Sequence, residues 1–511
     1  MRRSEWPAWV ATVLVAILAL RLCYLTIAYF LGSGGVLRYQ IESGAMAWAL
    51  TGLALRIFQD RPTSTGANET TLHERSGSAV AAIACIAASL FLYLPALHIG
   101  FLSDDYGLVQ RAQSFELTAF NSEAFRPLPL LLWGVLLSAG AGAAAIHAIN
   151  VIVHGLNSYL TARVADAYVP RPWSWVSAVV MLSMPIAPEA VAWCSGVFDV
   201  FATSSILISV LLARSYSEKT PVLTRVAFLA TVIAGVLSKE IGVVAPVVVL
   251  VDALTRRRLP RVLATDATLL TVAATVYGAA RWMHASSTLR QPISRYLLQR
   301  SLFGTFSSLA SPWHIEASRV LPIATSLVTI ALVTLFFLRR HPSADRTGRS
   351  LAAMGLVLIP VLPAATFLTV APNLEGARLL YASSAGWAIL LAAVSAPEIS
   401  TPTIGTRVTA PLIAATIVMA IVGVRLHLDH WQMAATTRNQ VEAAALADSR
   451  LAQCDVVGLS ELPDNISGAY VFRNSVAEAF ERDLNRRATV GAGRENCSFT
   501  WHDGRFEPTI R

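Results

Sequence analysis

SAVAAIACIAASLFLYLPALHIGFLSDDY, residues 78 to 106, is the stretch whose reading decides the fold. From Ser78 to Leu102 it holds no Asp, Glu, Lys or Arg, and then Asp104 and Asp105 stand side by side. A run of about 20 apolar residues reads as a bilayer span, because a helix satisfies its own backbone hydrogen bonds in lipid. Adjacent carboxylates at the lip of such a span are costly to keep there and point to function.

The rest of the chain repeats the pattern. Of 511 residues, 55% are hydrophobic and 14% charged, and the mean hydropathy is +0.55. The apolar residues fall in blocks, which predict spans at 8–31, 43–58, 78–98, 144–165, 172–187, 198–214, 222–237, 241–255, 262–283, 321–338, 351–370, 379–395 and 408–426. The expected fold is therefore an all-α polytopic membrane protein of about 13 transmembrane helices. A large first outer loop, 99–143, carries juxtamembrane helical pieces such as the apolar 128–138. A small α/β C-terminal extracytoplasmic appendage completes it. The expected divisions are 1–77, extra N-terminal helices and a loop; 78–428, the transmembrane core; and 429–511, the outer domain.

Sidedness follows from the arginines. With Arg2 and Arg3 inside, the loops bearing Arg56, Arg61 and Arg75, then Arg214, Lys219 and Arg225, then Arg256, Arg257, Arg258 and Arg261, then Arg339, Arg340, Arg346 and Arg349 all fall on the cytoplasmic face. That bias sets orientation and accounts for the net charge of +8 without nucleic acid. The chain lacks a glycine-rich phosphate loop, which argues against a nucleotide-hydrolysing pump. In the tail, Cys454 and Cys497 are the two cysteines, and an outward-facing compartment permits a bridge between them that spacing alone leaves open. The other three, Cys23, Cys85 and Cys194, show no metal-ligand spacing.

On the outer face the same ordering gathers charged and polar side chains from distant segments: Asp104, Asp105 and Arg126 of the first loop, Glu189 and Asp199, the pair Lys239-Glu240, and Arg378. His147, Asn150 and His154, spaced by three and four, share one helix face. Such a stripe lines a cavity or glues helices. A carboxylate there can take a proton from a hydroxyl acceptor, and cations can stabilise charge developing on a phosphate leaving group. For an isolated Asp-Asp pair the plainer reading is a helix cap or a solvated loop.

Taken in order, Phe101-Leu-Ser-Asp-Asp-Tyr106, Phe125-Arg-Pro-Leu128, His147-x-x-Asn150-x-x-x-His154, Pro188-Glu-Ala-Val-x-Trp193, Gly196-x-x-Asp199, Ser238-Lys-Glu240 and Arg378-x-x-Tyr381 resemble the glycosyltransferase C superfamily. The resemblance is nearest to its protein O-mannosyltransferase-like members and spans roughly 78–395. It implies an enzyme of the bacterial inner membrane that takes a sugar from a polyprenyl-phosphate donor on the periplasmic face. Transfer would go, usually with inversion, to a hydroxyl of an envelope glycan, lipid or protein. By position, the catalytic base maps to Asp104 or Asp105, with Asp104 preferred and Asp105 in support. Arg378 and Lys239 map to the lipid phosphate. Arg126, His147, His154, Glu189, Asp199 and Glu240 join as further substrate-binding candidates. Where relatives often carry Gly-Arg-x-Asp, this chain has Gly196-Val-Phe-Asp199. No dedicated metal ligands are assigned, although one aspartate of the pair could hold a divalent metal. The competing reading is a multi-span secondary transporter or lipid flippase, which should show matched halves and charges near mid-membrane.

Overall fold

The computed structural model describes residues 8–30, 75–116, 125–171, 173–284, 304–305, 308–310, 320–338, 353–364, 370–371, 373–396, 404–491, 497–502 and 504–509. The expected span 43–58, most of 284–320 and the arginines between 339 and 349 lie outside them. Among the described residues, helices occupy Ala8–Phe30 (α1), Arg75–Tyr93 (α2), Asp105–Gln113 (α3), Pro127–Ser138 (α4) and Ala143–Ala165 (α5). Then come Trp173–Leu182 (α6), Pro188–Val191 (α7), Val197–Arg214 (α8), Val222–Ser238 (α9), Ala245–Thr255 (α10), Arg261–His284 (α11) and Val320–Leu338 (α12). Tyr381–Ser395 (α13) and Ile404–Ala447 (α14) close the bundle.

Among the described residues, five helical stretches are long and apolar enough to cross a membrane: Ser78–His98, Cys194–Arg214, Arg261–Ala280, Ala377–Ser395 and Ala410–Ala447. Six apolar ones are shorter, Trp173–Leu182 and Val222–Ser238 among them. The figure of about thirteen spans therefore stays an expectation. Helix α13 is the centre of the bundle, since all of its 15 residues are buried. It packs against α5, α6, α8 and α12.

Small residues let backbones approach where lipid offers no hydrophobic push between helices. A Cβ on Gly242 would sit 2.2 Å from the carbonyl carbon of Gly235, so the turn after α9 folds flat against that helix. This close return places Lys239 and Glu240 at its apex. A Cβ on Gly196 would meet the Ala190 carbonyl oxygen at 2.0 Å, which fixes the corner between α7 and α8.

Helix α14 has 44 residues, about 66 Å at 1.5 Å per residue, roughly twice a ~30 Å hydrocarbon layer. The boundary expected at 428/429 falls inside this continuous helix, and the helical stretch expected at 432–450 is its outer half. Beyond it stands the small α/β unit. Its four-stranded sheet has the order β4-β1-β5-β6, built from Val456–Ser460 (β1), Arg487–Val490 (β4), Ser498–His502 (β5) and Arg505–Pro508 (β6). β1 runs parallel to β4 and β5, and β6 pairs antiparallel with β5. A short hairpin, Asn465–Ile466 (β2) with Ala469–Tyr470 (β3), and a helix at Val476–Leu484 (α15) lie between β1 and β4. Cys454 and Cys497 form a disulfide with Cα atoms 5.8 Å apart, tying the chain just before β1 to the chain just before β5.

Candidate active site

The two aspartates occupy different environments. Asp105 is fully buried. One of its oxygens accepts the Leu102 N–H at 3.0 Å, and the other accepts the Ser195 N–H at 2.9 Å and the Ser195 hydroxyl. The carboxylate thus bolts the lip loop to the corner before α8. Burial pushes its pKa from 3.8 up to about 7, although the three donors favour the charged form. Asp104 is half-buried. It takes the Asn474 side-chain amide at 2.6 Å and the Ser103 hydroxyl at 3.4 Å, both on Oδ1. Its other oxygen has no partner among the described residues. Ser103 holds the lip in a left-handed conformation, φ 51°, and donates its N–H to the Val471 carbonyl at 2.9 Å. Such conformations persist only where surrounding contacts over-determine them.

Three cations form a cluster that reaches the lip through Arg378. Arg126 reaches Glu240 at 3.0 Å and lies over the Phe198 ring at 5.0 Å. Lys239 meets Asp199 at 2.5 Å. The Arg378 guanidinium rests over the Trp193 ring at 4.4 Å. They lie within electrostatic reach of one another, since both Arg126 and Arg378 bear on Lys239, and Asp104 bears on Arg378. Burial, followed by the attraction of Asp199 in the opposite sense, leaves Lys239 lowered from 10.5 to about 8.

The polar capacity of the cluster is not used up. Asp199 Oδ2, Glu240 Oε1 and Arg126 Nε are buried without a partner among the described residues. The terminal nitrogens of Arg378 likewise make no hydrogen bond there. Buried polar groups are ordinarily satisfied, so vacancies concentrated in one place mark where a ligand's polar atoms belong.

Glu189 is different again. It is fully buried and saturated: Oε2 accepts the Arg378 backbone N–H at 2.9 Å, and Oε1 accepts the Gly376 N–H at 3.3 Å and the Tyr470 hydroxyl at 2.9 Å. Burial raises its pKa, opposed by Arg378 and by these donors. Its job in the geometry is to hold the 376–378 turn.

His147 and His154 are not brought to the cluster. Both are fully buried. His147 Nε2 lies 3.0 Å from the Gly100 carbonyl and 3.3 Å from the Cys194 sulfur. His154 sits between the Tyr381 hydroxyl, 2.8 Å, and the Leu182 carbonyl, 3.1 Å. Asn150, on the same face, donates to the Trp193 and Cys194 carbonyls. The stripe on α5 therefore acts as glue that fixes the Trp193–Cys194 backbone. Its consequence reaches the site through Trp193, whose indole N–H donates to the Leu102 carbonyl at 3.1 Å while its face supports Arg378.

Sequence reasoning passed over Trp193, Ser195, Tyr470 and Asn474. Trp193 lay inside a quoted motif, but its ring carries no charge to draw notice. Tyr470 and Asn474 lie in the appendage and gave no signal at all. No group of three or more His, Cys, Asp or Glu residues among those described is disposed to hold a metal ion.

No protein-family profile matches the sequence, and no curated protein matches it either. Two solved structures of ArnT from Cupriavidus metallidurans align with the chain. The one bound to undecaprenyl phosphate is 15% identical with a TM-score of 0.41, covering 83% of this chain and 87% of that one. The apo form is 14% identical with a TM-score of 0.37, covering 82% and 87%. At such scores, what the site does is read from its own residues.

Proposed function

We propose that the protein is a membrane glycosyltransferase that moves a sugar from a polyprenyl-phosphate donor to a hydroxyl acceptor at the bundle end bearing Asp104. The observation that carries this is one half-free carboxylate, Asp104, within electrostatic reach of Arg378, beside a cluster in which Asp199 Oδ2, Glu240 Oε1 and Arg126 Nε are buried without a partner among the described residues.

The acceptor O–H gives its proton to the free oxygen of Asp104, and the acceptor oxygen bonds to the anomeric carbon. The bond from that carbon to the phosphate oxygen breaks, and its electron pair leaves with the polyprenyl phosphate. The leaving group gains one negative charge in this step. Arg378, a planar fork suited to phosphate, and Lys239 meet that charge, which is where preorganised cations contribute most. A single displacement of this kind inverts the anomeric centre. Asp105, Glu189, His147 and His154 act on the scaffold: Asp105 pins the lip that presents Asp104, and Glu189 pins the turn that presents Arg378. The outer face of a bacterial inner membrane is the setting that the loop arginines support. The envelope acceptor and the donor sugar are matters of pocket shape.

The test is sugar transfer by purified protein from a panel of defined polyprenyl-phosphate sugars, with Asp104→Asn beside it. Transfer that Asp104→Asn abolishes supports the assignment. Transfer unaffected by Asp104→Asn removes Asp104 as base. Uptake of a solute into vesicles, without transfer, would favour the transporter reading instead.

A further inference from the structure

Among the described residues, one short segment of the C-terminal unit touches both halves of the site. Asn474 grips Asp104, and Tyr470, four residues earlier and buried, reaches the cationic half. The Tyr470 ring packs on Trp193 at 4.7 Å and on Trp431 at 6.0 Å. Trp193 in turn carries Arg378. Tyr470 therefore meets Arg378 by two routes, through the indole and through Glu189.

The second route has a particular geometry. Glu189 and Arg378 are a buried carboxylate and a guanidinium, yet their side chains do not close into a forked pair. The nearest approach is Nε to Oε1 at 3.6 Å, longer than a hydrogen bond. The carboxylate is instead occupied by two backbone N–H groups and the Tyr470 hydroxyl. An Arg–carboxylate pair left to itself prefers two parallel short bonds. The phenol takes up Oε1 and keeps the guanidinium on the indole face with its terminal nitrogens unspent.

We infer that Tyr470 is a positioning residue for the phosphate grip: by holding Glu189 Oε1 it prevents Glu189 from capturing Arg378, and so leaves Arg378 free for the donor's phosphate. The inference rests on the transferase reading above. It makes the appendage a part of the donor site, supplied from 281 residues further along the chain than Glu189.

Tyr470→Phe removes only the hydroxyl and keeps the ring between Trp193 and Trp431. Arg378 should then drop onto Glu189. KM for a polyprenyl-phosphate sugar should rise about tenfold, and kcat should fall about tenfold as the charge developing on the phosphate loses a partner. Binding of a polyprenyl monophosphate in detergent micelles, read as a shift in melting temperature, should weaken in step. Adding Glu189→Gln to Tyr470→Phe removes the charge that captures Arg378 and should bring KM back toward the wild-type value, short of it by the one backbone N–H that the Gln amide no longer accepts, and damage to packing would not be relieved in this way. Unchanged KM in Tyr470→Phe overturns the inference. So does a structure of that variant in which the guanidinium stays on Trp193, and this readout holds even if the double variant does not fold. If the wild-type protein transfers no sugar while Tyr470→Phe still moves Arg378 onto Glu189, the transferase reading fails and the positioning contact stands.

Discussion

The bundle has charged clusters at both ends, and they are built differently. At the far end, about 22 Å along α8 from Asp199 at 1.5 Å per residue, Asp252 is held by Arg214 at 2.8 Å, Arg256 at 2.9 Å and the Tyr168 hydroxyl. The remaining donors of Arg214 go to the Val164 and Arg163 carbonyls. None of the side-chain atoms in that cluster is a buried orphan among the described residues. At the near end, among the described residues, Asp199, Glu240 and Arg126 each keep an unpaired buried atom, and Arg378 makes no closer ionic approach than Nε to Glu189 at 3.6 Å. A closed network resists disruption, and an open one is poised to bind. Counting charges would rank the two alike; counting unmade hydrogen bonds separates them.

The largest effect expected from this contrast is chemical. Asp104→Asn should cut transfer about 10²- to 10⁴-fold, the usual share of a general base, with the melting temperature unmoved because the carboxylate is half outside the core. Initial rates and a thermal melt on the same sample decide it. Arg378→Ala should follow at about 10²- to 10³-fold in kcat, the cost of losing a preorganised charge partner.

At the far end the outcome should invert. Arg214→Ala leaves Asp252 to Arg256 and the Tyr168 hydroxyl alone and unpairs the Val164 carbonyl from the guanidinium, which should destabilise the fold by about 1–3 kcal/mol, while the specific activity of the protein that stays folded is retained. Denaturant melts beside single-turnover rates separate these effects. If Arg214→Ala abolished turnover in stable protein, the distinction between the ends would collapse.

Titration sharpens the near end. Transfer should rise as pH climbs through about 7, where Asp105 becomes the carboxylate that its three donors suit, and fall above about 8, where Lys239 loses its proton. Stability runs the other way on the acid side. Asp105 is raised in the fold, so its contribution is complete below its ordinary value near 3.8 and is lost as pH rises through about 7. Lys239 is depressed, so its contribution is present above 10.5 and lost as pH falls through about 8. A flat pH–rate profile between 6 and 9 would sever these groups from the reaction. The smallest effect expected is that of Asn474→Ala, an exposed hydrogen bond worth about 0.5–1.5 kcal/mol, seen as a severalfold loss in kcat.

Much of the bundle was legible in the sequence. The apolar blocks and the helices agree within a few residues at 144–165, 198–214, 222–237 and 262–283, because hydropathy is written locally. The strands expected from Cys454 and from Gly468 have counterparts in β1 and β3, the turn expected at Leu462 to Asn465 falls instead at Ser467–Gly468, and α15, β4, β5 and β6 had no counterpart in the reading. Those elements are short and have no strong period, and they exist because β1 gives them an edge to pair with. Within the site, the gathering of Asp104, Arg126, Asp199, Lys239, Glu240 and Arg378 followed from sidedness alone. The division between Asp104 and Asp105 did not, and neither did the retreat of His147 and His154 into helix glue.

By itself the sequence determined that the chain carries several helices apolar enough to cross a membrane and which charges share an end, since both follow from transfer free energies of consecutive residues. The tertiary structure decided which of those charges are already satisfied. Saturation of Asp105 depends on Ser195, 90 residues away, and that of Glu189 on Tyr470, 281 residues away. A hydrogen bond is set by distance and direction in space, and neither is written in local composition.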